Sequence, residues 1–370
     1  MRKIFIAFLL TGSFYNLAAQ TKLIIKGTVK GDTKGHNKVY VYGESIKQDS
    51  VMIENGAFTF NIPWENGMVP VLYNEYEMKE NGGISPYAIV VEKAGTVFLK
   101  DIDITKGLRT GKISGSASAV AFQAFDKGYE KLEKEIDSTL GARFPGKDYN
   151  DTSYRKGYDG LMTQKMVPYI KSFVKSNAGS FAGTYVLLRN RYLLKDQDME
   201  NLYSKLSPAQ QGTKAGKKMA DYLKGLKASA IGRQVNDFTL STPTDESFSF
   251  SNLKGKYVML DFWASWCGPC KAAFPHMKEV YQKYRGDQFE ILGISIDKDK
   301  AAWLKELGVQ QLPWLQVHDT KSISVSGFAV TAVPTAYLIS PDGKIILKEI
   351  GFDSNGNGEI EKKLKELFGK

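Results

Sequence analysis

The sequence has few residues that could hold a metal ion or staple a fold together. Only two cysteines and three histidines (His36, His276 and His318) occur among 370 residues. A structural zinc site needs four ligands, usually cysteine or histidine, and secreted disulfide scaffolds carry several cysteine pairs. We therefore expect no metal and no other cofactor, and we expect the two cysteines to serve chemistry rather than scaffolding.

Long apolar runs are also scarce. A basic start precedes an apolar run over residues 4–15, which is shorter than the roughly 20 apolar residues that a membrane-spanning helix needs. Small residues at 17–19 are typical of a cleavage site, so we expect residues 1–19 to be a signal peptide rather than a membrane anchor. No cysteine follows for lipid attachment. The expected protein is periplasmic or otherwise exported, and soluble once the signal peptide is removed.

The positive charge does not indicate a nucleic-acid partner. The formal net charge is +10, but 50 basic residues are interleaved with 40 acidic ones, as in Lys131–Glu135. Solvated helix faces explain this pattern better than a basic binding surface does. No nucleic-acid motif is present, and we expect no nucleic-acid partner.

The two cysteines form a Cys-x-x-Cys pair, Cys267 and Cys270, directly after a β-type run that ends at Trp263. Pro269 and the apolar periodicity that follows predict a helix that begins within the motif. Cys267 would then lie at the helix N-terminus, where unpaired N–H groups favour a thiolate. Cys270, one turn later, should be more buried. This spacing predicts a redox pair in which Cys267 attacks a disulfide and Cys270 resolves the mixed disulfide.

The run from Asp261 to Cys270 resembles the active-site segment of the thioredoxin superfamily, and Val333-Pro334-Thr335 resembles its cis-proline loop. The resemblance covers residues 231–370 and implies an α/β thioredoxin-like fold. Additional residues over 312–328 resemble the insert of TlpA/ResA-type relatives.

The resemblance also implies roles for individual residues. Asp261 would be buried beneath the cysteines and accept the proton of Cys270, and burial should raise its pKa. Two positions depart from relatives: Gly293 replaces the lysine that thioredoxins place beside this aspartate, and Ala273 replaces a glutamate of ResA-type relatives.

Three further residues would form the surface that binds substrate. Trp266 would offer apolar contact to a partner chain. The backbone of Val333, before the cis peptide bond of Pro334, would pair with an extended peptide.

The preceding residues predict two further domains. Residues 20–115 contain short β runs separated by turn residues, including the hairpin signal Asn55-Gly56, and predict a small antiparallel all-β sandwich or barrel. This part resembles the DUF4369-type β domain of exported Bacteroidetes proteins. Residues 116–230 show helical periodicity and predict a helical linker domain. The sequence leaves open whether these parts bind a partner, act as spacers or form a homodimer.

These features predict an exported thiol-disulfide oxidoreductase that reduces protein disulfides and receives electrons from a membrane or periplasmic thiol protein. The Gly-Pro dipeptide between the cysteines resembles that of reducing thioredoxins. Two alternatives remain open. One is a thiol peroxidase, although Ala264 stands where such enzymes carry threonine; the other is an envelope interaction protein switched by the redox state of the pair.

Overall fold

The computed structural model describes residues 21–149, 151–351 and 358–369. The predicted signal peptide at 1–19 lies outside these described residues. Within them, no helix combines the length and the apolar character that crossing a membrane would require. The chain divides into two units, Met1–Ser138 with Ser180–Ala182, and Thr139–Gly179 with Gly183–Lys370. The predicted three-domain division at residues 115 and 230 stays a prediction.

The first unit is built mainly from strands. They are β1 (Lys22–Lys30), β2 (Lys38–Gly43), β3 (Ile46–Met52), β4 (Ala57–Pro63), β5 (Val71–Asn74), β6 (Tyr87–Ala88), β7 (Gly95–Asp103) and β8 (Lys112–Ser114). Helix α1 spans Glu75–Glu80, and α2 spans Ala117–Arg143. Within the described residues the strands form two four-stranded sheets, ordered β4-β1-β7-β8 and β3-β2-β5-β6.

One apolar core lies between these two sheets. Strand β4 alternates strictly, with Phe58, Phe60 and Ile62 buried and the residues between them exposed, as a half-buried strand requires. Residues of both sheets share this core, including Leu23 of β1 and Val39 of β2. The predicted β domain is therefore a sandwich. One difference from the all-antiparallel expectation is the parallel pair β1 and β7, because the intervening chain crosses to the second sheet and returns.

The hairpin signal at Asn55-Gly56 produces a turn but no hairpin between neighbouring strands of one sheet. Both residues have positive φ, 50° and 71°, as a two-residue type I′ turn requires. Glu54 and Ala57 close the turn through two backbone hydrogen bonds. Strands β3 and β4 then enter different sheets, so the turn carries the chain across the sandwich.

The second unit begins with helices, as the periodicity predicts. They are α3 (Thr152–Leu161), α4 (Val167–Ser176), α5 (Phe181–Arg189), α6 (Asp196–Lys205), α7 (Pro208–Gln211) and α8 (Lys214–Ala228). Pro208 occupies the first turn of α7, where its missing N–H removes no hydrogen bond.

The remaining elements surround a mixed sheet. The strands are β9 (Thr239–Ser241), β10 (Ser247–Ser249), β11 (Tyr257–Trp263), β12 (Phe289–Ser295), β13 (Leu315–His318), β14 (Thr335–Ile339) and β15 (Ile345–Ile350). The helices are α9 (Gly268–Tyr284), α10 (Lys300–Gln310), α11 (Ile323–Ser326) and α12 (Glu359–Phe368). Within the described residues the sheet order is β10-β9-β13-β12-β11-β14-β15, with β11, β12 and β13 parallel. This arrangement confirms the predicted α/β class.

Strand β11 places its side chains alternately on the two faces of this sheet. Val258, Leu260 and Phe262 belong to one core, whereas Met259 and Trp263 pack into the other core together with α9 and α12. Because alternate residues of a strand share a face, Asp261 points to the α9 face. The period of the strand therefore directs this carboxyl group toward the helix that carries the cysteines.

Candidate active site

The two cysteines lie at the start of α9 and are joined by a disulfide. The Cys267–Cys270 bond has an S–S distance of 2.05 Å and a Cα–Cα distance of 5.3 Å. Cys267 is the N-cap residue of α9, and its Sγ accepts a hydrogen bond of 3.1 Å from the Cys270 N–H. The predicted helix start is thus confirmed. Cys267 is 4% exposed and Cys270 is 1% exposed, so Cys267 is more covered than the sequence suggests.

The predicted substrate-binding residues gather around Cys267. Trp266 is 66% exposed, which makes it a large apolar side chain directly beside the pair. The Val333–Pro334 peptide bond is cis, and the Val333 carbonyl oxygen lies 3.5 Å from Cys267 Sγ. Three predicted site residues therefore meet at one surface, although their predicted roles stay predictions.

Asp261 is buried in the middle of β11 and lacks a hydrogen-bond partner for one oxygen. Its Oδ2 atom has no partner among the described residues. Burial raises the pKa of Asp261 to about 7, because removing a carboxylate from water penalises its charged form. The residue can therefore gain and lose a proton near neutral pH, as the sequence predicts.

The neighbours of Asp261 on the adjacent strands carry no charge. Asp261 lies opposite Gly293 of β12 and Ala336 of β14; that Gly293 takes the place of the thioredoxin lysine stays a prediction. A Cβ atom on Gly293 would clash with the side-chain amide of Gln316. The Gln316 Oε1 atom accepts a hydrogen bond of 3.0 Å from Trp263 Nε1. A larger residue at position 293 would therefore have to displace this amide from its hydrogen bond.

A second buried aspartate, Asp297, was not found from the sequence. Its carboxylate accepts hydrogen bonds from the Ser265 N–H (2.9 Å) and the Ser265 hydroxyl (2.7 Å), and from the Ser295 hydroxyl (2.8 Å). Asp297 therefore fixes the loop between β11 and α9, which leads into Cys267. A signal was available, because functional groups of α/β sheets cluster beyond the carboxyl ends of parallel strands.

Comparisons with known proteins match two parts of the chain. The AhpC/TSA family matches residues 231–348, and a domain of unknown function, DUF4369, matches residues 23–122. These matches confirm both resemblances proposed from the sequence.

Curated relatives extend the comparison. The thiol-disulfide oxidoreductase ResA of Bacillus subtilis (strain 168) is 32% identical over 125 residues, 33% of this chain and 68% of the relative. ResA of Bacillus thuringiensis (strain Al Hakam) is 31% identical over 121 residues, 33% of this chain and 70% of the relative. A solved thiol-disulfide oxidoreductase from Bacteroides fragilis NCTC 9343 is 33% identical, covers 37% of this chain and 100% of its own, and has a TM-score of 0.33. The chain belongs to the ResA-like thiol-disulfide oxidoreductases of the thioredoxin superfamily.

Proposed function

We propose that this chain is an exported thiol-disulfide oxidoreductase that reduces disulfides in other proteins through Cys267 and Cys270. The observation that carries the proposal is the bonded cysteine pair at the N-terminus of α9. The exposed Trp266 and the Val333 carbonyl beside that pair support it. ResA relatives carry the name thiol-disulfide oxidoreductase, which supports the same chemistry.

The proposed reaction has two exchange steps. In the reduced protein, the Cys267 thiolate is stabilised by the positive end of the α9 dipole, and it attacks a substrate disulfide and expels the first thiolate. Cys270 gives its proton to Asp261 and attacks Cys267 Sγ, which breaks the mixed disulfide and expels the second thiolate. The substrate is reduced by two electrons and the pair is oxidised.

The substrate surface would combine an apolar contact with a backbone contact. Trp266 would cover the apolar part of a protein chain near its disulfide, and the Val333 backbone next to Pro334 would pair with an extended segment. The protein would act in the periplasm or another exported location. A membrane or periplasmic thiol protein would return the electrons, and a homodimer remains open.

The first measurement is the reduction potential of the Cys267–Cys270 pair in dithiothreitol and glutathione buffers. A value near about −270 mV, the thioredoxin end of the range, supports a reductant. A value near about −120 mV would identify a disulfide donor and would overturn the proposed direction of electron flow.

A trapping experiment separates the proposed enzyme from its two alternatives. With Cys270→Ser, Cys267 should accumulate as a mixed disulfide with substrate proteins, and Cys267→Ser is the matched control. Redox-dependent capture without a covalent bond would instead indicate an interaction switch. Rapid hydrogen peroxide consumption by the wild type would indicate a peroxidase, although the buried apolar Ala264 offers no hydroxyl to a peroxide.

A further inference from the structure

A cavity of about 70 Å³ is lined by residues of α9, of α12 and of the sheet. Asp261 and Ala273 are among these residues, and so are His276 and Glu361. Ala273 follows Cys270 by one helical turn, and the cavity continues along α9 to Val280. The seven steps from Ala273 to Val280 correspond to about 10 Å of helix. The cavity therefore follows α9 from one turn after the resolving cysteine to Val280.

The cavity is large enough for ordered water. A water molecule needs at least about 10–15 Å³ of such space and two or more polar partners. Asp261 lines this cavity, and its Oδ2 has no hydrogen-bond partner among the described residues. His276 and the carboxylates of Glu349 and Glu361 supply other polar groups. The small side chain of Ala273 lines this space.

A histidine–glutamate pair lies at the more accessible part of the cavity. His276 Nε2 lies 2.8 Å from Glu361 Oε2, and the two side chains are 26% and 17% exposed. Further charged groups face this pair from the packed elements: Glu279 on α9, 3.7 Å from His276 Nδ1, and Lys365 on α12, 3.6 Å from Glu361. The two ring nitrogens of a histidine can act as hydrogen-bond donor and acceptor.

We propose that His276, held by Glu361, exchanges the proton of Asp261 with solvent through this cavity. The proposal rests on the proposed function, because it supplies a route for the proton that Asp261 takes from Cys270. His276 is the ionisable side chain of α9 that lines the same cavity as Asp261. His276 touches no reacting sulfur and is a positioning and relay residue.

The proton and electron balance is complete without another reactant. The Cys270 thiol gives its proton to the Asp261 carboxylate, and its thiolate forms the bond to Cys267 while the mixed disulfide breaks. The departing substrate thiolate takes a proton from solvent. Asp261 then passes its proton through the cavity to His276, which releases it to solvent, and the carboxylate is ready for the next cycle.

The test follows the two exchange steps separately in the full chain. Reduced protein is mixed with dithiobis-nitrobenzoate, which releases one coloured thiolate when Cys267 attacks and a second when Cys270 resolves the mixed disulfide. The reaction is run below the pKa of about 7 of Asp261, so that Asp261 begins protonated and must release its proton before it can accept the one from Cys270. Under this condition His276→Ala should leave the first phase unchanged and slow the second roughly tenfold, less than the ~100-fold or more produced by loss of a directly acting acid or base. Added imidazole should restore the second phase, and Glu279→Gln should behave like wild type.

Asp261→Asn in the same assay separates this proposal from the proposed function. A slow second phase in Asp261→Asn with a normal one in His276→Ala overturns the relay and leaves the role of Asp261 intact. A normal second phase in Asp261→Asn overturns that role and the relay with it. If the second phase of His276→Ala is slow and imidazole does not restore it, His276 has a packing role, and the relay is also overturned. If His276→Ala fails to fold, Glu361→Gln takes its place, with a slowed second phase expected and an unchanged one overturning the relay.

Discussion

Asp261 and Asp297 are both buried near the cysteine pair, but they differ in their hydrogen bonds. Asp297 accepts three, from the backbone and hydroxyl of Ser265 and from the Ser295 hydroxyl. Asp261 Oδ2 accepts none from the described residues. A buried carboxylate without partners is costly in its charged form, whereas hydrogen bonds from N–H and O–H groups stabilise the charge.

The difference assigns the two aspartates to different tasks. The hydrogen bonds of Asp297 connect the carboxyl end of β12 to the loop that precedes Cys267. This residue is therefore suited to holding the loop in place. Asp261 has a raised pKa and lies beside a cavity, so it suits reversible protonation. Substitutions at either aspartate, or at its hydrogen-bond partners, test this difference.

The largest expected effect is on the pH dependence of stability. The Asp261 carboxyl ionises near about pH 4 in an unfolded chain, whereas its pKa in the folded protein is raised to about 7. Between these values the folded state binds more protons, so the contribution to stability is fully present below about pH 4 and is lost as pH rises through 7. Relative to wild type, the free energy of unfolding of oxidised Asp261→Asn should increase by roughly 4 kcal/mol between pH 4 and pH 8.

Urea unfolding of both proteins across this pH range measures that gain. Each protein is compared with itself at different pH values. The free-energy cost of burying the amide in Asp261→Asn does not depend on pH, so it cancels in this comparison. Asp297→Asn serves as the matched control. A wild-type curve parallel to that of Asp261→Asn would contradict the raised pKa.

The second expected effect concerns Asp297. Asp297→Ala leaves a backbone N–H and two hydroxyl groups without their acceptor, which should lower the free energy of unfolding by about 3 kcal/mol. The loop before Cys267 should also loosen, so the first exchange step should slow. Urea unfolding and the rate of the first phase measure the two effects. A loss within the ~0.5 kcal/mol of an ordinary surface substitution would mean that the loop is fixed by other contacts.

The position and role of Asp261 can be predicted from the sequence better than those of Asp297. The motif around Cys267 predicted a strand followed by a helix, and strand periodicity is enough to place Asp261 on the helix face. Asp297 is a single acidic residue after a strand, which local pattern cannot distinguish from a solvated one. The pairing of His276 with Glu361 joins residues 85 positions apart, and only the packing of α12 on α9 brings them together.

The β sandwich illustrates the same limit. Strand β3 (Ile46–Met52) is mostly polar and exposed at a sheet edge, so it lacks the apolar alternation of β4 that predicts a strand. The parallel pairing of β1 with β7 differs from the expected antiparallel arrangement, since local pattern predicts strands but not their partners. Within residues 312–328, strand β13 (Leu315–His318) has only four residues, too few for a periodic signal.

The smallest expected effect comes from removing only one of the two hydrogen bonds that Ser265 donates to Asp297. Ser265→Ala removes the hydroxyl bond to Asp297 Oδ1 but keeps the N–H bond to Oδ2, so it should cost about 1 kcal/mol. In the Asp297→Ala background the acceptor is already absent, and the same Ser265→Ala change should then cost close to nothing. A double-mutant cycle by urea unfolding measures this coupling. If Ser265→Ala costs as much without Asp297 as with it, the hydroxyl stabilises the loop through another contact, and Asp297 supports the loop through the backbone bond alone.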